Sequence, residues 1–157
     1  QKEVARLRRS RAVPDRVVVR RDDVTVDQNT GQIQVTRLVV AQDCGPISNP
    51  DGMRNQIEGG ALQGISRALG EEVTWDDRKI TSVDWRSYHS LTLGISPPAM
   101  EIVLLNQTDE EACGSGETSI TVVAPAIGNA VFDATGVRLR QVPFTPERLL
   151  AAIRART

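Results

Sequence analysis

Near the start of the chain, apolar and polar residues alternate on both sides of a short polar stretch. Val24-Thr25-Val26-Asp27 and Gln32-Ile33-Gln34-Val35 flank Gln28-Asn29-Thr30-Gly31. Period-two alternation around an Asn/Gly turn predicts a β-hairpin. Its second strand runs on through Arg37–Ala41 and stops at Asp43-Cys44-Gly45-Pro46, where glycine and proline interrupt it. The period then changes. Met53, Ile57, Ala61, Leu62, Ile65, Ala68 and Leu69 recur at helical spacing behind Asn49-Pro50-Asp51. Asn49 suits the N-cap, Pro50 the first helical position and Asp51 the positive end of the helix, with Gly70 as C-terminal cap. Inside this helix Gly59, Gly60 and Gly64 each cost about 1 kcal/mol relative to alanine. Either another backbone or a large flat ligand approaches closely there, or the helix packs tightly on a sheet.

Further along, Glu72–Trp75 and Lys79–Thr81 flank Asp76-Asp77-Arg78 and read as a second hairpin. Val83–Leu93 has no clear period, and Ser96-Pro97-Pro98 breaks the chain. Met100–Leu105 reads as a more buried strand. The apolar run Ile120–Ala134 becomes helical, marked by Ile127, Ala130, Val131 and Ala134, with Pro125 expected to start or kink the helix and Gly136 to end it. Thr145-Pro146 opens a last helix. The order of elements predicts an α+β domain of mixed α/β layers, an antiparallel-rich sheet with about three helices packed on it.

Composition narrows the function classes. At 157 residues the chain suffices for one domain with a core. Aromatic residues make up 3%, which argues against a stacking platform for bases or sugars. The formal net charge of -1 offers no global field for nucleic acid or an anionic membrane. No apolar run is long enough to cross a bilayer. The chain begins at Gln1 rather than Met and is read as a processed or excised piece, so the lack of a visible targeting signal says little about compartment. Cys44 and Cys113 form no CxxC or Cys/His pattern and read as two free thiols, with a disulfide between them as the alternative, and His89 has no partner ligands in sequence. Residues 1–23 read as a basic N-terminal extension or connector, with 24–157 as the folded part.

The stretch that carries chemistry is Gly114-Ser115-Gly116-Glu117, between a strand and a helix. Small residues let the backbone turn sharply and approach a bound group. A carboxylate at the end of such a turn is well placed for a base, and equally for a helix-capping acid.

Four blocks in order resemble one family. They are Asp43-Cys44-Gly45 with Asn49-Pro50, Gln56-Ile57-Glu58-Gly59-Gly60 and Gln63-Gly64; Gly114-Ser115-Gly116-Glu117; Ala124–Ala130 with Asp133–Gly136; and Pro143–Leu149. Together they resemble the C-terminal end of the molybdopterin-binding large subunit of the xanthine oxidase family. The likeness is strongest to the isoquinoline 1-oxidoreductase beta subunit and to bacterial aldehyde or nicotinate dehydrogenases, and it covers roughly Val24–Ile153.

The resemblance implies a molybdopterin cofactor in its cytosine dinucleotide form and hydroxylation of an N-heterocycle or aldehyde carbon with water. It also implies electron transfer to [2Fe-2S] clusters on a small partner subunit. By the same resemblance Glu117 matches the catalytic base toward the molybdenum-bound hydroxyl. Gln56 matches a pterin-binding glutamine. Gly59, Gly60, Gly114, Ser115 and Gly116 fall where the backbone would pass the cofactor, and no side chain need ligate the metal. Thr118-Ser119 departs from the proline or glycine common in relatives. The family's large subunit is several times longer, so this segment is expected to need the preceding part of that subunit and to be inactive alone. Two other readings stay open: a non-catalytic binding or structural domain that keeps the fold, and a nucleic-acid module using the basic residues of Gln1–Arg21.

Overall fold

A computed structural model describes residues 16–95, 97 and 99–156. Among these residues three strands and three helices follow in the order β1 (Arg16–Val26), β2 (Ile33–Asp43), α1 (Pro50–Leu69), β3 (Ala99–Leu105), α2 (Thr118–Thr135) and α3 (Pro146–Arg154). The α+β class stands. The expected hairpin is present, with β1 and β2 antiparallel and Val26 opposite Ile33. Its turn is held by Asp27, whose Oδ1 accepts from the backbone N–H groups of Asn29 at 2.8 Å and Thr30 at 3.3 Å. Gly31 takes φ +77°, and only a residue without Cβ fits there, because that atom would lie 2.4 Å from the Pro146 carbonyl oxygen.

Strand β1 begins at Arg16, earlier than the alternation at Val24 predicts, so residues 16–23 belong to the sheet rather than to a connector. The reason is non-local: Arg16 lies opposite Asp43, and the whole length of β2 is available to pair. The rest of the basic stretch, residues 1–15, lies outside the described residues.

Two register shifts interrupt the ladder. At the second, Asp23 faces Arg37 and Val24 faces Val35, so Thr36 is an extra residue on β2. Its hydroxyl donates to the Asp23 carbonyl oxygen at 2.9 Å. The bulge moves the buried face from Ile33 and Val35 to Leu38 and Val40. Arg37, freed from the core, pairs with Glu101 at 2.7 Å.

The sheet order is β1-β2-β3, with β3 parallel to β2 from Arg37 opposite Ala99 to Asp43 opposite Leu105. A parallel neighbour requires a crossover, and α1 with the irregular segment after it supplies one. That segment replaces the second hairpin expected at 72–81 by a single bridge between Trp75 and Ile80. Nothing described buries it: Val73 is 51% exposed, Trp75 74%, Ile80 55% and Trp85 80%. Without an apolar layer to cover them, two short runs do not extend into strands.

Helices α1 and α3 carry the N-terminal capping expected of them. Asn49 Oδ1 accepts from Gly52 N at 2.9 Å ahead of Pro50, and the Gly70 N–H donates to the Ser66 carbonyl. Thr145 Oγ1 accepts from Arg148 N ahead of Pro146. Gly136 ends α2 in the left-handed conformation. Helix α2 differs from expectation at its start: it begins at Thr118, with Pro125 inside. The turns before the proline bury Ser119 and Val123 completely, and this packing offsets the hydrogen bond that Pro125 cannot donate. The core joins Leu38 and Val40 of β2, Ile57, Ala61 and Ile65 of α1, Val123, Ile127 and Val131 of α2, and Phe144 and Leu149.

Candidate cofactor-binding site

The loop that leads to Glu117 is anchored to the end of β2 by backbone contacts. Cys113 N donates to the Cys44 carbonyl at 3.0 Å and Gln107 N to the Gly45 carbonyl at 3.3 Å. Gly45, at φ +77°, has the Glu111 carbonyl oxygen 2.4 Å from the place of a Cβ, so this junction admits glycine alone. From the other side, Gln56 Nε2 on α1 donates to the Gly116 carbonyl oxygen. The loop is thus pinned at both ends by elements far away in sequence.

Glu117 occupies the N-cap position of α2, yet its side chain makes no capping hydrogen bond. Its backbone carbonyl accepts from Ile120 N at 3.1 Å. The carboxylate is exposed and has no partner among the described residues. Of the two readings open for this acid, the capping one is therefore not realised.

Two adjoining depressions share Gln56. The smaller, about 110 Å³, is lined by Asn55, Gln56, Gly59, Gly60, Gln63, Gly116, Glu117 and Ile120. The larger, about 400 Å³, is lined among others by Cys44, Met53, Gln56, Cys113, Gly114 and Ser115. Every residue singled out from the sequence (Gln56, Gly59, Gly60, Gly114, Ser115, Gly116 and Glu117) lines one or both. Helical spacing sets Gln56, Gly59, Gly60 and Gln63 along one face of α1.

The glycines differ in what they leave open. At Gly59, Gly114 and Gly116 an added Cβ would meet nothing within 4 Å, so a bound group could lie against the backbone there. At Gly60 the Cβ would fall 2.3 Å from Ser119 Oγ, and at Gly64 2.8 Å from Val123 Cβ. Those two glycines serve the close packing of α1 on α2. The tight packing weighed from the sequence is real, but the partner is a helix rather than the sheet.

Other contacts were not visible in the sequence. The buried Gln42 side chain both donates to Thr118 Oγ1 at 3.0 Å and accepts from it at 3.2 Å, tying the residue after Glu117 to β2. Ser119 Oγ, next in line, is buried without a hydrogen-bond partner. These are the two positions at which the resemblance leads one to expect proline or glycine, and both are occupied in internal packing. Asn55 was missed as a lining residue, since a lone exposed amide on a helix gives no local signal. Burial pushes the Cys44 thiol pKa up, and the neighbouring Cys113 and Asp43 add to the effect.

The residues present fit a large flat cofactor with a polar edge. The open faces of Gly59, Gly114 and Gly116 leave room for a ring, and the amides of Asn55, Gln56 and Gln63 can donate and accept along its edge. Among the described residues no group of three or more His, Cys, Asp or Glu could hold a metal ion, so a metal here would depend on ligands from elsewhere. No described helix is long and apolar enough to cross a membrane.

The chain is similar to a set of known proteins. Residues 19–97 match the molybdopterin cofactor-binding domain. Over 131 residues the chain is 43% identical to a nicotinate dehydrogenase subunit of Pseudomonas putida, covering 83% of this chain and 11% of that protein. It is 35% identical over 135 residues to the aldehyde oxidoreductase molybdenum-binding subunit PaoC of Escherichia coli, covering 82% of this chain and 18% of that subunit. Among solved structures, the aldehyde oxidoreductase of Desulfovibrio gigas superposes with TM-score 0.74 at 34% identity, covering 83% of this chain and 15% of that one. Quinoline 2-oxidoreductase of Pseudomonas putida 86 gives TM-score 0.74 at 29% identity, covering 83% and 18%. The chain therefore spans less than a fifth of the length of these relatives. It belongs to the molybdopterin cofactor-binding domain family, in the lineage of the molybdenum-binding subunits of the xanthine oxidase family.

Proposed function

We propose that this chain forms the base-bearing part of the cofactor site in a larger molybdenum-dependent oxidoreductase. That enzyme would hydroxylate an N-heterocycle or oxidise an aldehyde carbon with water. The observation that carries the reading is the convergence of Gln56 and the Gly114–Glu117 loop. Gln56 holds the loop by the Gly116 carbonyl, and Glu117 lines the same depression with a carboxylate not used for capping.

When bound, molybdopterin, in its cytosine dinucleotide form, would supply the two-electron chemistry, with electrons leaving to [2Fe-2S] clusters on a partner subunit. This chain's own residues do the rest. Gln56, Ser115 and the open backbone at Gly59, Gly114 and Gly116 would bind and orient the pterin. Glu117 would accept a proton at its carboxylate as the substrate carbon is attacked. Glu117 is exposed in this chain, so the dry surroundings a base requires would come from the cofactor and from the preceding part of the large subunit. The isolated chain is accordingly expected to be inactive.

The test is Glu117→Gln in the intact large subunit assembled with its iron–sulfur partner. Turnover is expected to fall by about 10²–10⁴-fold, the usual contribution of a positioned base, with molybdenum content unchanged. Turnover within a few-fold of wild type in the molybdenum-loaded variant would remove Glu117 from this role.

A further inference from the structure

The two cysteines play no part in the reading above, yet the fold brings them together from distant positions. The Cys113 N–H donates to the Cys44 carbonyl oxygen at 3.0 Å. Standard covalent dimensions then limit the separation of their Cα atoms to about 6 Å. Disulfides span about 4.4–6.8 Å between Cα atoms, so the backbone already stands inside that window. Both residues line the same depression of about 400 Å³, and Cys113 is among the groups that act electrostatically on the Cys44 thiol. Neither is disulfide-bonded in this structure. The surrounding backbone is tightly held, by Gln107 N on the Gly45 carbonyl and by the Glu111 carbonyl against Gly45. A link would therefore join two segments that are already fixed relative to each other.

We propose that Cys44 and Cys113 form a reversible dithiol–disulfide site at the edge of the larger depression. With a peroxide as oxidant the steps balance. Cys113 is the more accessible thiol, since Cys44 is 2% exposed. Its sulfur attacks a peroxide oxygen and the O–O bond breaks, giving a sulfenic acid and one water. Cys44 sulfur then displaces the hydroxyl from Cys113 sulfur. The S–S bond forms, and the leaving hydroxide takes up the Cys44 thiol proton as a second water. Two electrons pass from the thiols to the peroxide, and a small dithiol reverses the change. The burial that raises the Cys44 pKa favours this order of events. Because Cys113 directly precedes Gly114, the new bond would tie the start of the Gly114–Glu117 loop covalently to the end of β2.

The experiment uses the intact large subunit. It is treated with stoichiometric hydrogen peroxide, alkylated in denaturant and digested with trypsin without reductant. Cleavage after Arg37, Arg54, Arg86 and Arg138 isolates Cys44 in residues 38–54 and Cys113 in residues 87–138. The expected product is these two peptides joined, two hydrogens lighter than their sum, split by dithiothreitol and absent in Cys113→Ser. Recovery of Cys44 alkylated while Cys113 carries a sulfinic acid would overturn the proposal, as would Cys113 linked to a different cysteine. Amide hydrogen exchange over Gly114–Gly116 should slow in the oxidised wild type and not in peroxide-treated Cys113→Ser. Equal exchange before and after oxidation would refute the coupling to the loop.

Discussion

Gly60 offers a test of the packing between α1 and α2 in which the structure fixes both sign and partner. Gly60→Ala adds a Cβ 2.3 Å from Ser119 Oγ, while the next atoms, Ile120 Cγ1 and Ser119 Cβ, stand at ordinary distances of 3.5 and 3.6 Å. Overpacking costs about 1–3 kcal/mol, and alanine regains about 1 kcal/mol of helix propensity. The single variant should therefore be destabilised by about 0–2 kcal/mol. Ser119→Ala removes the offending oxygen, which is buried without a partner and so contributes no hydrogen bond. In that background Gly60→Ala should stabilise the chain by about 1 kcal/mol. The coupling between the two substitutions is then about 1–3 kcal/mol, the whole overpacking cost. Urea denaturation of the four chains, followed by far-ultraviolet circular dichroism, measures it. Gly59→Ala is the control, because its Cβ meets nothing within 4 Å and it should gain about 1 kcal/mol in either background. If Gly60→Ala and Ser119→Ala add to within about 0.5 kcal/mol, the contact does not hold and the argument fails.

Two further outcomes are expected. Gln42→Leu takes the partner from Thr118 Oγ1 and should cost about 1–3 kcal/mol in the same assay, with a change under about 0.5 kcal/mol showing the pair to be inconsequential. Asp84, held below the usual carboxylate range by Arg86 and then by Ser87, should titrate by NMR below a free aspartate. Since its folded pKa is depressed, its contribution is present above the unfolded value and is lost as pH falls through the folded one. An ordinary titration midpoint would count against the turn at 84–87.

Elements that rest on local chemistry were legible in the sequence. Asn49-Pro50, Thr145-Pro146 and Gly136 each mark a helix end by what a single residue can do with the nearest backbone groups. The Asn29–Gly31 turn likewise fixes the first hairpin. What escaped depends on distant partners. The reach of β1 back to Arg16 follows from the length of β2, and the start of α2 before Pro125 follows from the grooves at Gly60 and Gly64. The expected hairpin at 72–81 shows the reverse case, a local signal with no layer to complete it. For the site, glycine and carboxylate spacing located the loop. It could not show that Gln56 and Gln42 hold its two sides, because nothing near Gly116 or Thr118 in sequence encodes an amide arriving from α1 or β2.

The exposure of the segment after α1 decides how this chain can be observed. Its two tryptophans, Trp75 and Trp85, both lie there and are 74% and 80% exposed, while the core contains none. Indole emission should already sit near its water-exposed wavelength in the folded chain and change little as the core melts. Intrinsic fluorescence is thus nearly blind to folding here. It is instead a background-free reporter for anything that comes to rest on that segment, and a blue shift on adding another protein would register docking rather than refolding.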